Sequence, residues 1–197
     1  MWPVITRNEE GKEKVYDLPS CLLKDRIVLI FEQINPETAA SVISQLLFLE
    51  AEDPDAKITI YINSPGGSIT DGLAIYDTLN KVRCPIETVC VGMAASMGAF
   101  LLSSGTRGMR YAMPNSCIMV HQPLGGASGQ ATEIDIAARR ILSLREKLYT
   151  ILAGNSDVNY EAISKACERD NYLEPEEALK LGLIDNIINT QPKGYKG

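Results

Sequence analysis

Ser96 lies in the stretch Gly92-Met93-Ala94-Ala95-Ser96-Met97-Gly98-Ala99-Phe100-Leu101-Leu102, after an apolar β-type run, Thr88-Val89-Cys90-Val91, and before a run of helical composition. A serine where a strand gives way to a helix can project its hydroxyl from a tight turn, with the unpaired N–H groups of the helix start facing a developing negative charge. A helix-capping serine has the same surroundings, so the stretch needs a partner before it reads as chemistry. The single histidine, His121, closes the apolar strand Cys117-Ile118-Met119-Val120. No set of histidines or carboxylates at ligand spacing surrounds it, which argues against a metal site. One imidazole is enough for a general base, and if Ser96 is a nucleophile, His121 is the only imidazole to activate it. A third group, most simply a carboxylate, is then required to hold the imidazole in one tautomer. Asp135, Asp157, Asp170 and Asp185 all qualify, and spacing does not choose among them. Asp170 sits at a helix end, beside the Asn171-Tyr172-Leu173 turn, where a carboxylate can point inward.

A second glycine-bearing turn, Ser64-Pro65-Gly66-Gly67-Ser68, also follows a strand and precedes a helix. Paired glycines there let backbone N–H groups approach a ligand closely. They can supply half of an oxyanion hole, with the Met97 N–H as the other half, although Pro-Gly-Gly also makes an ordinary tight turn. The turn matches neither the phosphate loop nor the dinucleotide-binding glycine pattern.

The elements that must position these groups alternate. Residues 26–31 form a short buried strand. Asn35-Pro36-Glu37 supplies a cap, a first-turn proline and an acidic first turn for a helix whose apolar face carries Val42, Ile43, Leu46, Leu47 and Leu49. A strand over 57–62 leads to a helix over 68–82 with Ile69, Leu73, Tyr76 and Leu79 on one face. A third unit pairs a strand over 87–91 with a helix over 96–104. Three strand–helix units in succession, each the length of a βαβ unit, argue for an α/β fold with a mostly parallel sheet. Short strands follow around 110–113 and 117–120, then a glycine-rich segment, Gly125-Gly126-Ala127-Ser128-Gly129. The longest helix, about 131–152, comes next, with shorter helices at 160–168 and 175–181 and a closing strand over 183–188. Residues 1–25 read as a polar arm or loop, 26–190 as one domain, and 191–197 as a flexible tail.

Composition narrows the function. With 197 residues, 45% of them hydrophobic and 22% charged, the chain is of ordinary globular type. A net charge of −6 offers nucleic acid no electrostatic footprint, and no run has the length of a membrane span. The N-terminus lacks the apolar core of a signal peptide. Five scattered cysteines without a CxxC pair argue against a disulfide framework or structural zinc, and for reduced thiols in a cytoplasmic setting.

Four segments together, Tyr61-Ile62-Asn63-Ser64-Pro65-Gly66-Gly67, Ala94-Ala95-Ser96-Met97-Gly98-Ala99, Met119-Val120-His121-Gln122-Pro123-Leu124-Gly125 and Glu168-Arg169-Asp170, closely resemble in order and spacing the motifs of the ClpP family, the proteolytic subunits of Clp proteases. The resemblance runs from about Leu22 to Ile187. It implies Ser96 as nucleophile, His121 as general base, Asp170 as orienting acid, and the N–H groups of Gly67 and Met97 as the oxyanion hole. It also implies the ClpP/crotonase-like α/β spiral, with a protruding handle made of a strand over 125–129 and the helix from Ala131. Substrate would pair as an extended strand along Gly66, Ser68 and Ile69 on one side and Pro123, Leu124 and Gly125 on the other. The family forms two stacked seven-membered rings enclosing a chamber and takes unfolded polypeptide from a hexameric Clp ATPase. The chain itself would therefore need no cofactor, and ATP would be spent elsewhere. Arg169 would pair with Glu133 or Asp135 across the ring junction.

Departures from the family pattern fall outside these motifs. Thr59 and Lys81 stand where aromatic residues are common on the ATPase-docking face, and Pro19 and Cys21 replace a tyrosine and an arginine near the entrance pore. They would suit a paralogous subunit in a mixed ring, which makes a scaffold subunit, active only with a paralogue, one alternative. An acyl-CoA hydratase or isomerase of the crotonase-like fold is another. Such enzymes work through carboxylates and have no need of an aligned serine and histidine.

Overall fold

The computed structural model describes residues 3–9 and 11–188, and the expected tail over 191–197 lies outside them. The centre of the fold is a seven-stranded sheet. In the order β3-β4-β5-β6-β9 it comprises β3 (Ile27–Ile30), β4 (Ile58–Ser64), β5 (Ile86–Ala95), β6 (Arg110–Ala112) and β9 (Asn186–Ile187), all parallel. β7 (Cys117–Val120) pairs parallel with β5, and β8 (Asn171–Leu173) pairs antiparallel with β7. Alternation in β4 places Ile58, Ile60, Ile62 and Ser64 in the interior, as a period of two requires.

Helices α2 (Pro36–Glu52), α3 (Ile69–Lys81) and α4 (Met97–Leu102) follow β3, β4 and β5 as the strand–helix alternation predicts. The Asn35 side chain accepts from the Thr38 N–H at 2.9 Å, and Pro36 sits in the first turn of α2. Val42, Leu46 and Leu49 are buried, but Leu47, expected on the same face, is 46% exposed. The helix packs with a narrower stripe than its apolar residues span. In α3 the fully buried line runs through Gly72, Ile75 and Leu79, with Ile69, Leu73 and Tyr76 only partly covered. Gly72 lies against the Met97 side chain, whose flexible end a Cβ there would displace.

Three expectations change. The stretch read as a polar arm or loop contains regular structure: β1 (Val4–Glu9) and β2 (Lys12–Asp17) form an antiparallel hairpin, and α1 (Leu18–Lys24) follows. Asp17 caps that helix by accepting from the Ser20 N–H at 2.8 Å, with Pro19 in its first turn. The expected strand over 125–129 has no ladder among the described residues; residues 121–128 run from β7 towards α5 (Ala131–Asn155) without regular structure. Residues 171–173, read as a turn, are instead β8. Helices α6 (Tyr160–Ala166) and α7 (Pro175–Leu181) complete the chain before the short β9.

Candidate active site

Register brings the chemical groups to one end of the sheet. β5 is flanked on one side by β4, while on the other its first half pairs with β6 and its last residues with β7. Gly92, at φ +81°, lies where the partner changes. Ala95 stands opposite Met119, so Ser96 and His121 leave neighbouring parallel strands at the same end. Val120 stands opposite Asn171 on antiparallel β8, so Asp170 enters beside His121. Gly66 and Gly67 leave β4 at this end too. Carboxyl ends of parallel strands are where open α/β sheets place ligands.

Ser96 is held at φ +53° and ψ −119°, a region costing an L-residue roughly 1–3 kcal/mol. Its N–H donates to the Met119 carbonyl at 2.8 Å and its carbonyl accepts from the Phe100 N–H at 3.0 Å. The tight turn thrusts Oγ outward, 2.8 Å from His121 Nε2. His121 Nδ1 lies 3.1 Å from Asp170 Oδ1. The imidazole is 11% exposed, whereas the Asp170 carboxylate is 62% exposed. The other aspartates are engaged elsewhere. Asp135 pairs with Arg139 one turn along α5, Asp157 with Arg107, and Asp185 with Arg110.

The backbone beside Ser96 carries two N–H groups without an acceptor among the described residues. Gly66 N–H donates to Ser64 Oγ at 3.1 Å and Ser68 N–H to the Ile34 carbonyl at 2.8 Å, which leaves the Gly67 N–H unspent between them. Met97, first residue of α4, has no carbonyl to reach one turn earlier. Glycine is needed at 66: at φ +89°, a Cβ would lie 2.6 Å from the Ala95 carbonyl oxygen, 2.7 Å from Ser96 Cβ and 3.0 Å from Met97 N.

These groups open onto a largely apolar cavity of about 280 Å³. Of the residues expected along the substrate, Gly66, Ile69, Pro123 and Leu124 line it. Ser68 instead caps α3, its Oγ accepting from the Asp71 N–H at 3.4 Å, and Gly125 packs on the Ile141 side chain. Gln33, Phe100, Met119, Gln122, Leu148, Tyr149 and Leu152 also line the cavity and were not expected. Leu148 and Leu152, one turn apart on α5, were the available signal. Arg169 is exposed, and neither Glu133 nor Asp135 meets it within the chain; Glu133 caps the start of α5 through the Gln130 N–H at 3.3 Å.

No cluster of three or more potential metal ligands occurs among the described residues, and no described helix is long and apolar enough to cross a membrane. A hydroxyl aligned with an imidazole and a carboxylate, beside two free N–H groups in a cleft of a mostly parallel α/β sheet, is equipped for acyl-group hydrolysis. The Clp protease family model matches residues 10–191, so the chain belongs to the Clp protease family. It carries a ClpP-like peptidase domain.

Proposed function

We propose that the chain is the serine endopeptidase subunit of a self-compartmentalised Clp protease. The observation that carries this reading is the 2.8 Å contact between His121 Nε2 and Ser96 Oγ, continued by the 3.1 Å contact to Asp170. Ser96 Oγ attacks the peptide carbonyl while His121 Nε2 takes its proton, and Asp170 accepts from Nδ1–H to fix the tautomer and stabilise the imidazolium. The oxyanion receives the Gly67 and Met97 N–H groups. His121 then gives its proton to the leaving amine, and water, activated by the same imidazole, releases the acyl chain. Substrate lies extended between the Gly67–Ile69 edge and the 123–125 segment, with the side chain preceding the scissile bond in the apolar cavity. An acyl-CoA hydratase would have no use for the serine–histidine contact.

Family membership implies an oligomer that works with Clp ATPases. The specific assembly proposed is two stacked heptameric rings, joined through α5 and Arg169, fed with unfolded chains in the cytoplasm by a hexameric ATPase. The peptidase chain itself uses no cofactor. Intact mass after exposure to a fluorophosphonate, with Ser96→Ala as control, tests the chemistry. A single adduct that the control lacks is the expected result. An adduct at another residue, or none in the assembled protein, overturns the serine mechanism.

A further inference from the structure

Beside the apolar cavity lies a second of about 460 Å³, in the angle between α5 and α6. Its walls include Arg145, Glu161, Lys165 and Glu168, and none of these four charges forms an ion pair among the described residues. Two side chains, Gln122 and Tyr149, line both cavities. They are therefore the partition between an apolar chamber beside Ser96 and a charged one behind it. Both are tied to consecutive carbonyls of the turn that runs into Asp170. Tyr149 Oη donates to the Cys167 carbonyl at 3.3 Å, and Gln122 Nε2 donates to the Glu168 carbonyl at 2.9 Å. Tyr149 is 3% exposed and its ring leans on Tyr160, with centroids 6.1 Å apart. Burial pushes its hydroxyl up to about 12, so it stays a neutral donor at working pH.

We propose that Tyr149 is a specificity-determining residue: it closes the floor of the apolar chamber and excludes long or charged side chains next to the scissile bond by sealing off the charged cavity behind. The inference rests on the peptidase reading above and adds to it the residue that limits substrate. Leu148 and Leu152, on the same helix, make the chamber apolar, but neither borders the second cavity. Removing the tyrosine ring joins the two spaces. A lysine side chain entering the chamber then opens onto a polar space that holds Glu161 and Glu168 beside Arg145 and Lys165, instead of ending against an apolar wall, where its charge would be stranded.

The test uses fluorogenic tetrapeptides differing only in the residue before the cleaved bond (Leu, Trp or Lys), which need no unfoldase. The assembled wild-type protein is compared with Tyr149→Ala, Tyr149→Phe, and Tyr149→Ala carrying Glu161→Gln and Glu168→Gln. In Tyr149→Ala, kcat/KM for Trp and for Lys relative to Leu is expected to rise about tenfold or more, the scale on which pocket contacts discriminate. Tyr149→Phe, which keeps the ring, should retain the wild-type ratios. The triple variant should lose the Lys gain and keep the Trp gain, a split that a general loosening of the fold would not produce. Unchanged ratios in Tyr149→Ala, with Ser96 still labelled by fluorophosphonate, overturn the proposal while leaving the peptidase reading intact. A wild-type protein that neither labels nor cleaves any of the peptides removes both.

Discussion

Gly66→Ala is the substitution in which backbone, packing and chemistry meet. At φ +89° an L-residue is strained, at a cost of roughly 1–2 kcal/mol. The added methyl would sit 2.6 Å from the Ala95 carbonyl oxygen and 2.7 Å from Ser96 Cβ, so each must retreat by about 0.7–0.8 Å to reach ordinary contact at 3.4 Å. Neither is the end of a flexible side chain. Ser96 is already strained, and its backbone is pinned to Met119 and Phe100. The displacement therefore falls on Ser96, the proposed nucleophile, and on Met97 N, 3.0 Å from the same methyl. A misplacement approaching 1 Å costs about 10²-fold in rate, and weakening one oxyanion donor costs about 10²–10³-fold. The expected outcome is a loss of about 10²–10⁴-fold in kcat on a short fluorogenic peptide, larger than any change in KM, since the groups displaced are those at the reacting carbonyl while the Leu148, Tyr149 and Leu152 wall of the cavity stays in place. Strain of roughly 2 kcal/mol would lower Tm by about 4–8 °C in a chain of this size. Steady-state kinetics and scanning calorimetry on one preparation read both. A Gly66→Ala protein within twofold of wild type in kcat would refute the assignment of an oxyanion site beside this turn.

Three further outcomes follow from the geometry. Asp170→Asn should keep the fold, because the carboxylate is largely solvent-exposed, yet lower kcat by roughly 10³–10⁴-fold as the imidazole loses its orienting acceptor; peptide hydrolysis and circular dichroism measured together check this. Burial disfavours the charged form of Asp185, but the Arg110 fork and the Arg110 and Gly108 N–H groups outweigh it, holding the carboxyl below its ordinary value of 3.8. A depressed folded-state pKa gives stability that is complete above the unfolded value and fades as pH falls through the folded one. Asp185→Asn should therefore lose about 3 kcal/mol at pH 7, where Arg110 is left buried without its partner, and show a shallower decline in acid than wild type, as urea titrations at neutral and acid pH would reveal. Arg169→Ala should split the double ring and lower activity together, read by native mass spectrometry alongside peptide cleavage; an intact, active double ring would remove Arg169 from the proposed ring junction.

Local pattern carried much of this protein. The alternation of strand and helix over residues 26–104 needs only apolar period and punctuation, and Asn35-Pro36 and Ser68 are caps whose chemistry is written within three or four residues. The Ser96 turn and the glycines at 66 and 67 were legible for the same reason, since a strand ending in a small-residue turn before a helix is a local event. Being the single histidine, His121 could be named as partner without knowing any distance. The spacing of the residues left four aspartates open and only the family resemblance pointed to Asp170; the physical reason for that choice lies in tertiary structure. It depends on β8, three residues long and read as a turn, whose antiparallel register against β7 sets Asp170 beside His121. A strand so short has too little period to announce itself, and only the ladder it joins defines it. The hairpin and helix of residues 4–24 were hidden in a polar composition that gives no apolar alternation to read. The floor of the cavity was equally invisible. Tyr149 lies more than fifty residues from Ser96 in sequence, and it meets the site because the C-terminal half of α5 lines the cavity before Ser96 and the Cys167 carbonyl holds its hydroxyl. Residue type and order determined which groups can do the chemistry; long-range register and helix packing decided which carboxylate lies beside the histidine and what bounds the space in front of the serine.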